Sequence, residues 1–449
     1  MTSSTLPLLA RTPGSSRVTG AHLDDRPRVE VRIDPSEKRG ALHPADGAKL
    51  ATAARTALDK RLPLVVHVAS SGADIDEGIA AIHGWGTAAR ELVRCSGRVP
   101  LVMVVDGPAV AGPALLLGLA DQVVFTADAY AFVSGPHMVR QFTGQELTKA
   151  ALGGAPVHDR TSGVASLLAA DTTDAADLVD DLLAHLPSHA DELPPTTSVA
   201  DPVDRPTPEL FDVLPDSATG SYDVRDIITG IVDHGDLLEL RPNWAANLVT
   251  GLARIGGRPV GVVANQPQTV AGTLDIAASQ KGGRFVAWCD AFGLPLLTLV
   301  DTSGFYPGKD LEWRGMIRYG AQMAFAYARA TVPRVNLTTR KSYGGAYIVM
   351  DSKRMGNDMA FAWPSAEIAV MGAKGAVEIL HRRNTPEERL AREKGYEERL
   401  LNPYIAAERG TIDAVIDPAE TRSRVATALD MLAGKRERLP RRRHDNTPL

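Results

Sequence analysis

Lys341-Ser342-Tyr343-Gly344-Gly345-Ala346-Tyr347 is the stretch around which the rest of the chain is arranged. Upstream, Leu294-Pro-Leu-Leu-Thr-Leu-Val300 is a continuous apolar run entered through a proline, which predicts a buried strand. It ends in Asp301-Thr-Ser-Gly-Phe-Tyr-Pro-Gly308, a loop of glycine, proline and hydroxyls. A helix is predicted from about Gly315 to Ala330 and a second strand over Val332–Thr338. Gly344-Gly345 then falls where the next helix begins. Adjacent glycines there let a ligand come close to the backbone, and the first N–H groups of the helix have no partner within it. Such a turn is either a tight corner and nothing more, or a place where an oxygen that becomes negative during a reaction is held.

A second copy of the arrangement favours the latter. Leu62-Pro-Leu-Val-Val-His-Val-Ala-Ser-Ser-Gly72 matches Leu294-Pro-Leu-Leu-Thr-Leu-Val-Asp-Thr-Ser-Gly304 at an offset of 232 residues. Val99-Pro100 matches Val332-Pro333, and Ala111-Gly112 matches Gly344-Gly345, both at an offset of 233. One order of strand, polar loop, helix, strand and glycine turn is written twice. The period is far too long for a solenoid and predicts two homologous α/β domains, each with one anion-accepting turn.

With 449 residues the chain has room for two such domains. It is 44% apolar and 23% charged, and its net charge of −5 gives no reason to expect a nucleic-acid partner. Cys95 and Cys289 stand alone, without a CxxC pair or a Cys/His cluster. That argues against disulfides and a metal site and for a reducing cytoplasm. Met1–Arg17 has no basic residue ahead of its short apolar core, Leu6–Ala10, and does not read as a signal peptide. The longest apolar region, Val99–Phe125, is broken by glycines, prolines and aspartates, so no membrane span is expected.

The expected organisation is a flexible arm over 1–28, a first domain over 29–190 and a proline-rich linker over 191–221. A second domain follows over 222–434, then a solvated basic tail over 435–449. Within the first domain, Arg28–Ile33, Val123–Thr126 and Tyr130–Val133 read as strands, and Gly47–Lys60 and Asp174–His185 as helices.

Two anion-accepting turns suit a carboxyl transfer between two carbonyl compounds. The donor's oxygen gathers charge as carboxylate leaves, and the acceptor becomes an enolate before it attacks. Each oxygen then needs backbone donors where charge develops. Turns held in one rigid fold also place donor and acceptor in attack geometry. The chain has no GxxxxGK[ST], no GxSxG and no Met-Lys-Met of the kind that accepts biotin, so ATP use and covalent biotin would lie on other polypeptides.

The chain resembles the carboxyltransferase (β) subunit of biotin-dependent acyl-CoA carboxylases of the acetyl- and propionyl-CoA type. The resemblance is carried by Tyr222-Asp-Val-Arg-Asp, Gly261-Val-Val-Ala-Asn-Gln-Pro267, Ala271-Gly-Thr-Leu-Asp-Ile and Asp301-Thr-Ser-Gly-Phe-Tyr-Pro-Gly308. It continues through Ala330-Thr-Val-Pro333, Arg340-Lys-Ser-Tyr-Gly-Gly-Ala-Tyr347 and Trp363-Pro-Ser-Ala-Glu-Ile-Ala-Val-Met-Gly-Ala-Lys-Gly-Ala-Val377. It is dense over 222–385 and thinner over 60–190, where Gly107-Pro108, Gly153-Gly-Ala, His158 and Ser162-Gly-Val-Ala carry it.

The resemblance implies two tandem crotonase-like (ClpP/crotonase) domains related by internal duplication. The first would bind a coenzyme A thioester, and the second carboxybiotin presented on a separate biotin carboxylase or biotin carboxyl carrier subunit. Each site would lie between subunits of a homo-oligomer, a hexamer. Gly344 and Gly345 match the biotin-side oxyanion turn, and Ala111 and Gly112 the acyl-side turn, where the family has Gly-Gly. Substrate contacts are implied for Gly72, Ala73, Gly135, Gly154, His158, Tyr343 and Ile348, and biotin contacts for Phe305, Pro307, Gly308 and Ala346. Position 348 is aspartate in propionyl-CoA-selective members and apolar in others, so Ile348 implies a broad short-chain preference.

The departures gather in the first half. The family's Asp-Ser-Gly-Gly-Ala-Arg-Ile-Gln-Glu-Gly reads Ala69-Ser-Ser-Gly-Ala-Asp74-Ile-Asp-Glu-Gly78 here. That implies either a different acyl substrate or a first domain that no longer catalyses. Three functions stay open: an active carboxyltransferase subunit, a decarboxylase or transcarboxylase component on the same fold, and a non-catalytic partner completing a carboxylase oligomer. Among single residues, His158 reads either as a coenzyme A contact or as a local hydrogen-bonder, His67 as a satisfied core histidine, and Ile348 as pocket wall or core.

Overall fold

A computed structural model describes residues 16–23, 26–217, 220–441 and 443–448. The chain divides into two compact units, Met1–Pro195 and Thr196–Leu449.

In unit 1 the strands are β1 (Ser16–Leu23), β2 (Arg26–Ile33), β3 (Leu64–Ser70), β4 (Leu101–Val110), β5 (Gln122–Thr126), β6 (Tyr130–Phe132) and β7 (Leu167–Ala169). Among the described residues they form one sheet in the order β1-β2-β3-β4-β5-β7, with β6 joined to the end of β4. All pairs are parallel except β1–β2. Every residue of β3 is buried, as its unbroken apolar run predicts for a strand covered on both faces. The helices that matter here are α1 (Pro44–Lys60), α2 (Ile79–Cys95), α3 (Gly112–Leu117) and α4 (Thr172–Ala184).

Unit 2 contains β8 (Leu237–Glu239), β9 (Leu248–Ile255), β10 (Arg258–Asn265), β11 (Leu296–Thr302), β12 (Arg334–Tyr343), β13 (Met359–Ala362), β14 (Glu367–Ala369) and β15 (Ala414–Val415). The sheet order is β15-β13-β12-β11-β10-β9-β8, and β14 joins the end of β12 as β6 joins β4. Its helices include α5 (Val224–Ile231), α6 (Ile276–Ala291), α7 (Met316–Arg329), α8 (Gly344–Val349), α9 (Pro403–Glu408) and α10 (Thr421–Leu432).

The duplication holds at the level of register. Leu64 pairs with Leu101 in unit 1 and Leu296 with Arg334 in unit 2. Both ladders then shift just before their last pair, Ser70 with Ala109 and Thr302 with Ser342. The loop after the strand makes the same isolated bridge twice, Leu42 with Ala73 and Leu274 with Phe305.

Three terminal or connecting segments differ from the sequence reading. Residues 16–23 of the expected arm form β1, because Ser16 donates from both N and Oγ to the buried Asp46 carboxylate at 2.8 and 2.6 Å. Arg26, Pro27 and Arg28 of that arm open β2, and its positions 1–15, 24 and 25 lie outside the described residues. From Thr196 onward the proline-rich segment belongs to unit 2, and Leu210 is fully buried in a core with Ile227, Ile228 and Val262. Prolines offer carbonyls without N–H groups, and the buried Arg422 supplies donors to this segment, to Pro202 O at 2.9 Å and to Asp201 O at 3.2 Å. In the basic tail, Lys435 is tied to Asp358 at 2.9 Å and to the Val332 carbonyl, and Arg329 pairs with Asp445.

Candidate active site

In each unit the second strand of the repeat runs straight into a short helix. β12 ends at Tyr343 and α8 begins at Gly344; β4 ends at Val110 and α3 begins at Gly112. The corner has the same backbone twist in both, φ +58° at Gly344 and +60° at Ala111. A side chain on Gly344 would lie 3.1 Å from the Val370 carbonyl oxygen. Gly345 has an ordinary φ, and a Cβ there would meet only the Phe305 ring, at 3.5 Å. Strain therefore belongs to the first glycine and open approach to the second.

The first-unit turn is built more narrowly. The Ala111 N–H donates to Phe132 O at 3.0 Å, so it is already committed, whereas the sequence reading counted two turn residues. The Gly112 N–H has no acceptor among the described residues. Gly112 also lies beneath Trp85 of α2, and a Cβ there would come within 2.8 Å of the indole nitrogen.

Around these turns the structure gathers most of the sequence candidates, each within its own unit. A Cβ on Gly72, at φ +117°, would lie 3.8 Å from the Ala111 methyl, so the Gly72–Ala73 loop adjoins the Ala111–Gly112 turn. Gly135, Gly154 and His158 all meet at β6. A Cβ on Gly135 would contact Phe132, Gly154 bridges Tyr130, and His158 bonds Ala131 O at 2.8 Å. The other ring nitrogen of His158 meets Ser162 Oγ at 2.7 Å, so both nitrogens serve local structure. His67 is buried, but its Nδ1 lacks a hydrogen-bond partner among the described residues, unlike the satisfied core histidine expected.

In unit 2, Gly344, Gly345, Tyr347 and Ile348 form one wall of a cavity of about 470 Å³. Ile348 is 38% exposed and lines this space, which removes the core reading. Ala346 is fully buried, so its methyl packs α8 and any contact of this residue with a ligand would be through its backbone. Tyr343 donates its hydroxyl to the Glu367 carboxylate, and burial together with that bond pushes its phenol above the ordinary value. Phe305 adjoins Gly345, while Pro307 and Gly308 are exposed ahead of the short helix at Lys309–Trp313.

The opposite wall was not foreseen. Leu400, Ile405, Ala406 and Thr411 close the cavity, and Arg409 is its charged lining residue. Asn402-Pro403 is a legible helix start, and the Asn402 side chain does accept from Ile405 N at 3.1 Å. Nothing local says which cavity that helix faces. Tyr347 adds a buried hydroxyl without a hydrogen-bond partner among the described residues, and burial pushes it up to about 12. No group of three or more metal-ligating side chains occurs among the described residues, and none of their helices is long and apolar enough to cross a membrane.

Such a site offers backbone donors beside apolar walls, and among the described residues that line its cavity there is no Ser, Cys, His, Asp, Glu or Lys. Residues 26–447 match the carboxyl transferase domain model. The chain belongs to the carboxyl transferase family. It is 43% identical to the propionyl-CoA carboxylase beta chain of Saccharopolyspora erythraea, over 98% of this chain and 84% of that one. It is also 40% identical to the methylmalonyl-CoA decarboxylase subunit alpha of Veillonella parvula, over 97% and 86%. The transcarboxylase 12S structure, a hexamer with methylmalonyl-coenzyme A bound, superposes with a TM-score of 0.95 at 39% identity, covering 97% of this chain and 85% of that chain. The two units are thus the tandem crotonase-like domains of a carboxyltransferase, and transfer between biotin and an acyl-CoA thioester is the chemistry of this family.

Proposed function

We propose that this carboxyltransferase moves the carboxyl group of carboxybiotin, presented on a separate carrier subunit, to the α-carbon of a short-chain acyl-CoA. The observation that carries this reading is the repeated turn: the same positive φ at Ala111 and Gly344, each followed by a glycine at the start of a helix. Carboxybiotin supplies the carboxyl group. Gly344–Gly345 receives the oxygen charge that develops on the donor side, and Gly112 N–H the enolate oxygen of the thioester. The Gly72–Ala73 loop, beside Ala111, holds the thioester, and Phe305 with Pro307–Gly308 borders the donor. Exclusion of water by Trp85, Ile348 and Phe305 strengthens these bonds.

Ile348 gives the acyl end an uncharged wall. Since one methylene in such a pocket discriminates by only about 1–3 kcal/mol, acetyl-, propionyl- and butyryl-CoA are all accepted. We place the protein in the cytoplasm as a homohexamer with each site shared between subunits, in line with the assembly described for transcarboxylase 12S. Purified protein is mixed with a carboxybiotin donor and each thioester. Transfer to all three with modest ratios is expected, and no transfer to any would leave the non-catalytic partner role. Light scattering that found a fully active monomer would rule out the shared site.

The decarboxylase or transcarboxylase direction is a second reading, because relatives working in opposite directions match at 43% and 40% identity. The biotinylated subunit that co-purifies decides between the directions.

A further inference from the structure

We infer that Arg334 and Asp351 are positioning residues for carboxyl transfer, clasping the two ends of the strand–helix unit that presents Gly344–Gly345. The inference rests on reading that turn as the donor-side oxyanion site. Arg334 opens β12, and Asp351 follows α8 directly. Arg334 Nη1 donates to Asp351 Oδ1 at 2.8 Å, and the two side chains are 2% and 0% exposed. The other carboxylate oxygen of Asp351 accepts from Asn357 Nδ2 at 2.9 Å. Asn336 Nδ2, also on β12, donates to Met350 O at 2.9 Å and so holds the carbonyl end of α8. Arg334 Nη1 reaches Tyr327 O of α7 at 2.7 Å as well, which ties the clasp to the helix packed behind.

Two features separate this pair from ordinary core packing. Asp351 has φ +58°, a conformation uncommon for residues other than glycine, asparagine and aspartate, so the chain turns sharply where the pair forms. The repeat has no such pair. At the 233-residue offset Arg334 falls on Leu101 and Asp351 on Gly118, whose φ of −69° contrasts with +58° at Asp351, so the two short helices end differently. The neighbouring contact is kept in both units: Leu101 N donates to Asp121 at 2.8 Å, and Arg334 N to Asp358 at 2.9 Å. What unit 2 has added is a buried ionic link between the base of the strand and the far end of the helix that opens at Gly344. A six-residue helix has little of its own to hold its direction, and a small tilt there moves the N–H groups off the developing charge.

The test uses the full chain in its assembled state. Removing one partner leaves a buried charge unpaired, so the main variant is the double change Arg334→Leu/Asp351→Gly, which removes both charges together and gives the φ of +58° to the residue that adopts it most freely. Circular dichroism and light scattering are expected to be unchanged, kcat to fall at least tenfold, and KM for the acyl-CoA to stay within twofold. Arg334→Lys, which keeps a cation facing Asp351, is expected to retain at least a third of wild-type kcat. Gly345→Val is run alongside. A double variant with kcat within twofold of wild type, beside an inactive Gly345→Val, overturns the clasp and leaves the turn standing. An active Gly345→Val overturns the turn and the clasp together. Failure of the double variant to assemble also overturns the inference, since the pair would then be a folding requirement.

Discussion

At Ala111 and at Gly344 the chain makes one corner with two residues. Both sit near φ +60°, yet only the second is the residue that prefers it. The same contrast runs through the surroundings. In unit 2 a buried ion pair, Asp301 with Arg340 at 3.0 Å, braces the strand ends below the turn, and Asp301 also accepts from Lys341 N at 3.0 Å. The matching positions in unit 1 are Ala69 and Gly107, so close that a Cβ on Gly107 would lie 3.0 Å from the Ala69 methyl. Both partners are absent together, and small residues fill the space. A buried pair can be exchanged for packed apolar atoms at little cost when both charges go, whereas losing one strands the other. The comparison teaches that the repeated fold tolerates either solution, a charged pair or two small residues.

The strongest way to break this contrast is Gly345→Val. Its φ is ordinary and the nearest side chain is Phe305, so the fold should survive while branched methyls cover the N–H. A loss of about a hundredfold to a thousandfold in kcat is expected, measured by carboxyl transfer in the intact oligomer. Near-normal turnover would remove the turn from the reaction.

Ile348→Asp tests the other side of the same wall. It should change kcat/KM ratios among acetyl-, propionyl- and butyryl-CoA by about 1–3 kcal/mol in equivalent free energy, with thermal stability nearly unchanged because the position is partly exposed. Equal ratios in variant and wild type would place the acyl pocket elsewhere.

A smaller effect separates Lys49 from Lys281, its counterpart at the 232-residue offset. Lys49 lies 3.7 Å from Asp46, where the second repeat has Ala278. Lys281 is held by the Arg241, Trp244 and Ala245 carbonyls, at 2.8, 3.0 and 3.4 Å, and burial pulls it down to about 7. Between about pH 7 and its ordinary value near 10 the unfolded chain holds that proton and the folded chain does not, so stability rises with pH across this window. The slope from one such group is at most about 1.4 kcal/mol per pH unit. Denaturant titrations of Lys281→Met should show a shallower rise, and an unaltered slope would refute the assignment.

The mildest change is Ala111→Gly. Relieving a non-glycine residue at φ +60°, a strain of about 1–3 kcal/mol, should outweigh the ~0.5–1 kcal/mol of extra unfolded-state freedom of glycine and raise the denaturation midpoint slightly. Lower stability would mean that the Ala111 methyl contributes packing beside Gly72 that outweighs the strain.

Much of this was legible because its signals are local. A proline-entered apolar run, a hydroxyl-rich loop and a glycine pair each act within a few residues, so their second occurrence exposed the duplication, the strand–turn–helix order and both turns. Boundaries fared less well where tertiary partners intervene. The segment around Pro202 is poor in donors and was read as linker, but Arg422, 220 residues away, bonds its carbonyl. Ser16–Leu23 lacks any strong strand pattern and is held through Asp46 and pairing with β2.

By itself, then, the sequence determined that two related α/β domains each carry a strand-to-helix turn with a glycine in it, since chain geometry at glycine and proline depends on little beyond the residue itself. Tertiary structure decided how those turns are finished. It committed Ala111 N–H to Phe132 O, left Ile348 facing a cavity while burying its neighbour Ala346, and joined Arg334 to Asp351 across the unit that holds Gly344. These choices depend on which groups meet across long sequence separations, and no short pattern records such meetings.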